Sequence, residues 1–136
     1  MRNKQRPEVD FCDIGLVTTV LNTIATNYSK NEMDCIENYV AEIYESGRKI
    51  GDTVMRVVKM QEDIDQATEI ISYSRTLLSR MGEESTYRFL RLITMCKDTK
   101  DSERALSEVS WKLGFWDDAE GAVYVINEEI ERRLKA

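Results

Sequence analysis

Residues 64–82, IDQATEIISYSRTLLSRMG, carry Ile64, Ala67, Ile71, Ser74, Leu78 and Met81 at steps of three and four, flanked by Ile70 and Leu77, and end on Gly82. Such steps stack side chains on one face of a helix, and a glycine just past the last of them is a preferred terminator because it takes left-handed backbone without strain. The spacing predicts a helix here with a left-handed cap at Gly82. The same pattern extends both ways, because Pro7 is the single proline in 136 residues and only six glycines are present. Proline removes a backbone donor and clashes with the preceding helical turn, so nothing from Glu8 to Ala136 forbids helix. No stretch alternates with a period of two long enough to propose a sheet. The expected fold is all-α: a compact bundle of six or seven antiparallel helices of unequal length, irregular or hairpin-stacked, with residues 1–9 as a flexible tail and 10–136 as one domain.

Toward the N-terminus, Ile14, Val17, Leu21, Ile24 and Tyr28 mark a helix from Asp10 to Tyr28. Ser29 and Glu32 have the form of a capping box opening the next helix, with Met33, Ile36, Val40 and Ile43 inward and an end near Gly47. Ile50, Val54, Val57 and Val58 mark a shorter helix with Asp52 near its start, and its pattern leaves open a continuation into the next. Beyond Gly82, Ser85 is the expected N-cap of a helix burying Phe89, Leu90, Ile93 and Cys96. Lys97 to Asp101 reads as a turn, followed by a helix with Ala105, Leu106, Val109 and Leu113 inward, ended by Gly114. The last helix opens at Asp117 or its neighbour and carries Ala119, Ala122, Val123, Ile126, Ile130 and Leu134.

Composition excludes several chemistries. There is no histidine, so Ser-His and Cys-His relays and His-based zinc sites are not available. Cys12, Cys35 and Cys96, odd in number and set among apolar positions, read as buried free thiols in a reducing compartment. Asp10 and Asp13 interrupt any signal-peptide core after Arg2, Lys4 and Arg6, and no apolar run is long enough to span a bilayer, so a cytoplasmic protein without a membrane partner is expected. A net charge of −6 opposes direct DNA or RNA binding and favours a basic partner. Arg48, Lys49, Arg56 and Lys59 leave room for one local basic face against an ordinary solvated one.

The most patterned stretch is Ser102 to Ile126. Trp111-Lys-Leu-Gly114 followed by Ala119 resembles the turn of a tetratricopeptide-type hairpin, which implies that small Ser107 and Ala119 pack where the helices cross; Gly47, Gly82 and Gly114 recur at 35 and 32 residues, near that family's period. Tyr87 stands where the preceding unit would need a small residue, so the resemblance covers one hairpin. Val109 to Gly114 is also similar to the first helix and turn of a helix-turn-helix. That implies a recognition helix led by Asp117, Asp118 and Glu120, whose charges oppose phosphate contact. Leu113-Gly114-Phe115 resembles the loop of ubiquitin-associated domains.

Glu42-Ile-Tyr-Glu45 and Glu62-Asp-Ile-Asp65 resemble the ExxE…ExxD pattern of the all-α, MazG-like nucleotide pyrophosphatases. The resemblance implies that Glu42, Glu45, Glu62 and Asp65 hold magnesium on two antiparallel helices, with Lys49, Arg56 or Lys59 on phosphate. Asp63 is an extra charge in the second pair, and the alternative reading of all these acids, Asp65 and Glu69 included, is a solvated surface. Trp111, Phe115 and Trp116 crowd the turn at Gly114, either plugging the end of the bundle or, with Asp117 and Asp118 as an acidic rim, forming an anchor for a basic protein. Tyr39, Tyr44 and Tyr73 add polar-tipped contacts or a homodimer surface.

No nucleophile-base pair, phosphate loop or cofactor fingerprint is present, so the favoured expectation is a small acidic interaction module, an adaptor, regulator or inhibitor without catalytic activity or cofactor. The alternatives are the magnesium-dependent pyrophosphatase and an acidic mimic of nucleic acid that blocks a nucleic-acid-binding protein.

Overall fold

The computed structural model describes residues 19–24, 29–114 and 118–135. Among these every regular element is helical: residues 19–24, then α1 (Lys30–Ser46), α2 (Arg48–Lys59), α3 (Ile64–Met81), α4 (Glu83–Thr94), α5 (Thr99–Leu113) and α6 (Ala119–Lys135). The all-α expectation holds, and hairpin stacking is the form it takes. Gly47 alone joins α1 to α2, and Gly82 alone joins α3 to α4. Helices α1, α3 and α5 pack in succession as one layer and α2, α4 and α6 as the other. Helices α1 and α3 run parallel, since Arg75 in the C-terminal half of α3 meets both Tyr39 and Glu42 in the C-terminal half of α1.

The hairpins repeat one plan. Ser29, Asp63 and Asp98, the N-caps of α1, α3 and α5, follow one another at 34 and 35 residues. Helices α2 and α4 are both 12 residues long and end at Met60 and Met95, whose amides donate to Val57 and Leu92. Their buried positions coincide at a step of 35: Ile50 with Ser85, Gly51 with Thr86, Val54 with Phe89, Met55 with Leu90, Val57 with Leu92, and Val58 with Ile93. A hairpin of this kind cannot bury its apolar face alone, so stacking copies makes one continuous core. That core takes in Leu21 from the first helical stretch and Ile126 and Ile130 from α6.

Several expectations change. The third predicted helix starts at Arg48, with Asp52 as its fifth residue, and does not continue into the next: Met60 caps its end and the Asp63 carboxylate caps the next helix through the amides of Asp65 and Gln66. Asp63 is thus a cap and not a surplus charge. Ser85 does not cap α4, which starts at Glu83; its hydroxyl is buried and donates to the carbonyls of Met81 and Ala119 at 3.3 Å each. Asp101 lies inside the first turn of α5, which Asp98 caps. Gly82 has φ 94° and ψ 179°, positive but extended, a region open in practice to glycine only. Ser107 and Ala119 are exposed, so neither packs at a crossing, and Leu134 is 59% exposed at the fraying end of α6. Cys35 is exposed on α1 and Cys96 half-buried, with burial pushing its thiol up to about 11; Cys12 lies outside the described residues. The first predicted helix is described only over 19–24, and the tail 1–9 lies outside.

Gly51 is small because Tyr44 covers it. A Cβ there would sit 2.6–2.8 Å from three ring atoms of Tyr44, a side chain 6% exposed whose hydroxyl donates to Asp52 at 3.2 Å. Glycine to alanine within an exposed helix gains about 1 kcal/mol. Here overpacking reverses the sign, and Gly51→Ala is expected to cost about 2 kcal/mol, measured by urea denaturation.

Gln66 is 1% exposed and both amide atoms lack a hydrogen-bond partner among the described residues. It occupies the third position after the Asp63 cap, yet its side chain points into the core instead of back to the cap amide. Leaving a buried amide unsatisfied costs about 1–3 kcal/mol. Gln66→Met keeps the length and removes the polar atoms, so thermal unfolding is expected to report about 1 kcal/mol of added stability.

Candidate functional site

Helices α1 and α5 both flank α3 and do not touch each other, so the outward face of α3 becomes the floor of a groove. Tyr39 of α1 forms one wall; Thr68, Glu69, Ser72, Tyr73 and Thr76 the floor; Leu106, Ser107, Ser110 and Trp111 of α5 the other wall. The open volume is about 830 Å³. The floor residues recur every three or four positions on α3, the stripe beside its buried face, and the α5 wall relates in the same way to buried Ala105, Val109 and Leu113.

The aromatic rings are held from behind. Tyr73 stands edge-on to Phe89 of α4, ring centroids 5.0 Å apart at 63°, and Ser110 lies near its hydroxyl on the facing wall. Burial pushes the Tyr73 phenol above its ordinary value. The Arg75 guanidinium lies 4.7 Å from the centre of the Tyr39 ring and is paired with Glu42, which fixes that ring against α3. Trp111, in the last turn of α5, is 71% exposed. Glu69 is exposed and has no ion-pair partner among the described residues.

The sequence-predicted residues divide. Trp111 joins the groove, and Tyr39 and Tyr73, expected as contact residues, line it with Trp111. Tyr44 does not, being buried against Gly51. Phe115, Trp116 and Asp117 lie outside the described residues. Asp118 accepts from the amide of Gly121 at 2.7 Å, capping α6. Arg48, Lys49, Arg56 and Lys59 are all exposed on α2, in the layer away from the groove.

The four carboxylates of the ExxE…ExxD pattern are not brought together. Glu42 pairs with Arg75, and with Glu45, Arg80 and Ser46 it borders a hollow of about 350 Å³ near the C-terminal ends of α1 and α3. Asp65 is in the first turn of α3, ten residues from Arg75, which is about 15 Å along the axis at 1.5 Å per residue. Glu62 precedes that helix. The physical reason is the parallel run of α1 and α3, where the motif needs antiparallel helices. Among the described residues no group of three or more metal-ligating side chains forms.

Many acids are engaged in holding helices together. Asp101, 7% exposed, takes both Arg133 guanidinium nitrogens at 2.9 Å, and Glu129, 4% exposed, takes Lys112 at 3.0 Å and pairs with Arg132. The Asp101–Arg133 and Glu129–Lys112 contacts join α5 to α6. They explain part of the acidic excess as structure. Among the described residues no helix is long and apolar enough to cross a membrane.

Compared with protein-family models, curated proteins and solved structures, the chain matches none.

Proposed function

We propose that this protein is a non-catalytic protein-interaction module that receives a peptide segment of its partner in the groove formed by α1, α3 and α5. The observation that carries this reading is Trp111, 71% exposed on the wall of a groove whose other aromatic groups, Tyr39 and Tyr73, rest against Arg75 and Phe89. Ordered aromatics lose little conformational entropy on binding and supply most of the energy at hot spots. Stacked helical hairpins present such surfaces along one layer because each unit adds one helix to it.

Trp111→Ala separates binding from folding, because removing a side chain already 71% exposed leaves the core untouched. A random peptide library displayed on phage and selected against the full chain is expected to yield ligands whose affinity falls about 30-fold or more in Trp111→Ala, with an unchanged melting temperature. Ligands that bind the variant equally well would place the interaction elsewhere.

A further inference from the structure

We propose, building on the groove reading above, that the occupant is a short extended segment carrying lysine or arginine among apolar residues, with Glu69 as the group that reads the positive charge. Glu69 is the one charged residue among the ten described residues lining the groove. Some acids in this chain meet a cation, Glu42 with Arg75, Glu84 with Arg88, Asp101 with Arg133 and Glu129 with Lys112, while others such as Glu45, Glu83 and Glu103 stand exposed outside the groove. Glu69 has no such cation among the described residues, although it stands on the floor between aromatic walls.

A cation entering there meets two complementary features. The carboxylate offers a salt bridge, and the faces of Tyr73 and Trp111 attract ammonium or guanidinium through their quadrupoles. An anionic segment meets Glu69 as a like charge; the cations nearest the groove are Arg75, stacked on Tyr39 and already paired with Glu42, and Arg80, and neither is among its ten described lining residues. The net charge of −6 acts in the same direction by steering basic partners to the surface.

Reach follows from packing. Helices that both flank α3 without touching each other are two interaxial spacings apart, roughly 18 Å. At about 3.3 Å per residue, an extended segment of roughly six residues crosses from Tyr39 over Glu69 and Tyr73 to Trp111. The hydroxyls of Ser72, Thr76 and Ser107 lie along that path and suit a peptide backbone, to which hydroxyls donate and from which they accept.

The test uses three synthetic peptides of one length in which leucines are interspersed with lysine, glutamine or glutamate, titrated by fluorescence anisotropy against the full chain and three variants. In the unmodified protein the lysine peptide is expected to bind about tenfold tighter than the glutamate peptide. Glu69→Gln should weaken the lysine peptide about fivefold and leave the glutamine peptide unchanged. Glu69→Lys should reverse the order of lysine and glutamate, and Trp111→Ala should weaken all three. The lysine preference should also shrink as salt is raised.

Equal binding of the three peptides, or a preference that survives Glu69→Gln, would overturn the charge-reading role while a loss in Trp111→Ala kept the groove as the site. Binding of none of them would overturn this inference alone, since library selection decides the groove independently. Sedimentation showing a dimer that dissociates in Trp111→Ala would make a second copy of the chain the occupant and overturn it as well.

Discussion

Replacing Asp101 with alanine is expected to lower stability by about 3 kcal/mol, which in a domain of this size moves the melting temperature down by about 10 °C. The carboxylate is 7% exposed and accepts from Arg133 twice at 2.9 Å, from Arg104 at 3.1 Å and from the Lys97 amide at 3.0 Å. Without it, Arg133 keeps a largely buried guanidinium whose Nε already lacks a partner. Removing one member of a buried pair leaves an uncompensated charge, which costs more than the pair contributes when intact. The Arg133 guanidinium beside Asp101 also holds that carboxyl well below the usual carboxylate range. A depressed value means that the contribution is fully present above the unfolded-state value near 4 and is lost progressively as pH falls below it toward the folded-state value. The stability gap between the unmodified chain and Asp101→Asn, measured by urea denaturation, should therefore be constant from pH 7 to 5 and narrow from pH 4 to 2. A gap independent of pH would show that the carboxylate charge contributes nothing.

Phe89→Ala is expected to be the costliest core substitution tested, at about 4 kcal/mol, with Phe89→Leu costing about 1 kcal/mol. Phe89 is fully buried on α4 and is the ring against which Tyr73 rests. In the matching positions of the other hairpins stand smaller groups, Val54 in α2 and Val125 in α6. The central hairpin thus carries the largest side chain at the point where both neighbours press on it. Loss of the ring leaves a cavity that close-packed helices fill only in part, and it removes the edge-on partner of Tyr73. Calorimetry on the alanine and leucine variants should give that ordering. Near-equal costs would mean that the site collapses freely and that the Tyr73 contact adds nothing.

The inward faces of α1, α3 and α5 were legible because each is amphipathic with a single buried stripe: Met33, Ile36, Val40 and Ile43, for instance, are all buried as their spacing predicts. Boundaries were less so, and the reason is specific. Ser85 satisfies the local pattern of a cap, but Gly82 already turns the chain, so the cap falls three residues earlier and the hydroxyl is left for a contact with the backbone of Ala119. The repeat itself left a signal, Ser29-x-x-Glu32, Asp63-x-x-Gln66 and Asp98-x-x-Asp101, at steps of 34 and 35 residues. Those three third positions serve three ends. Glu32 returns to the Ser29 amide, Gln66 enters the core, and Asp101 binds Arg133.

Of the groove, Trp111, Tyr39 and Tyr73 stood out in the sequence as aromatics, while Glu69 read only as a surface acid. Their convergence depends on α1 and α5 lying on opposite sides of α3, a relation among residues thirty or more positions apart. The same relation parts Glu42 and Glu45 from Glu62 and Asp65, whose spacing alone permitted a metal cluster.

By itself, then, the sequence determined that the chain is helical, which faces turn inward, and that imidazole chemistry is excluded. Those properties follow from backbone freedom and from periodicities that act within a few turns. Tertiary structure decided that α1 and α3 run parallel, which acids among the described residues are bound in ion pairs, and that Glu69 shares a groove with Tyr39, Tyr73 and Trp111. Such outcomes depend on how whole hairpins stack, and stacking is set by the summed fit of buried faces that no local stretch contains.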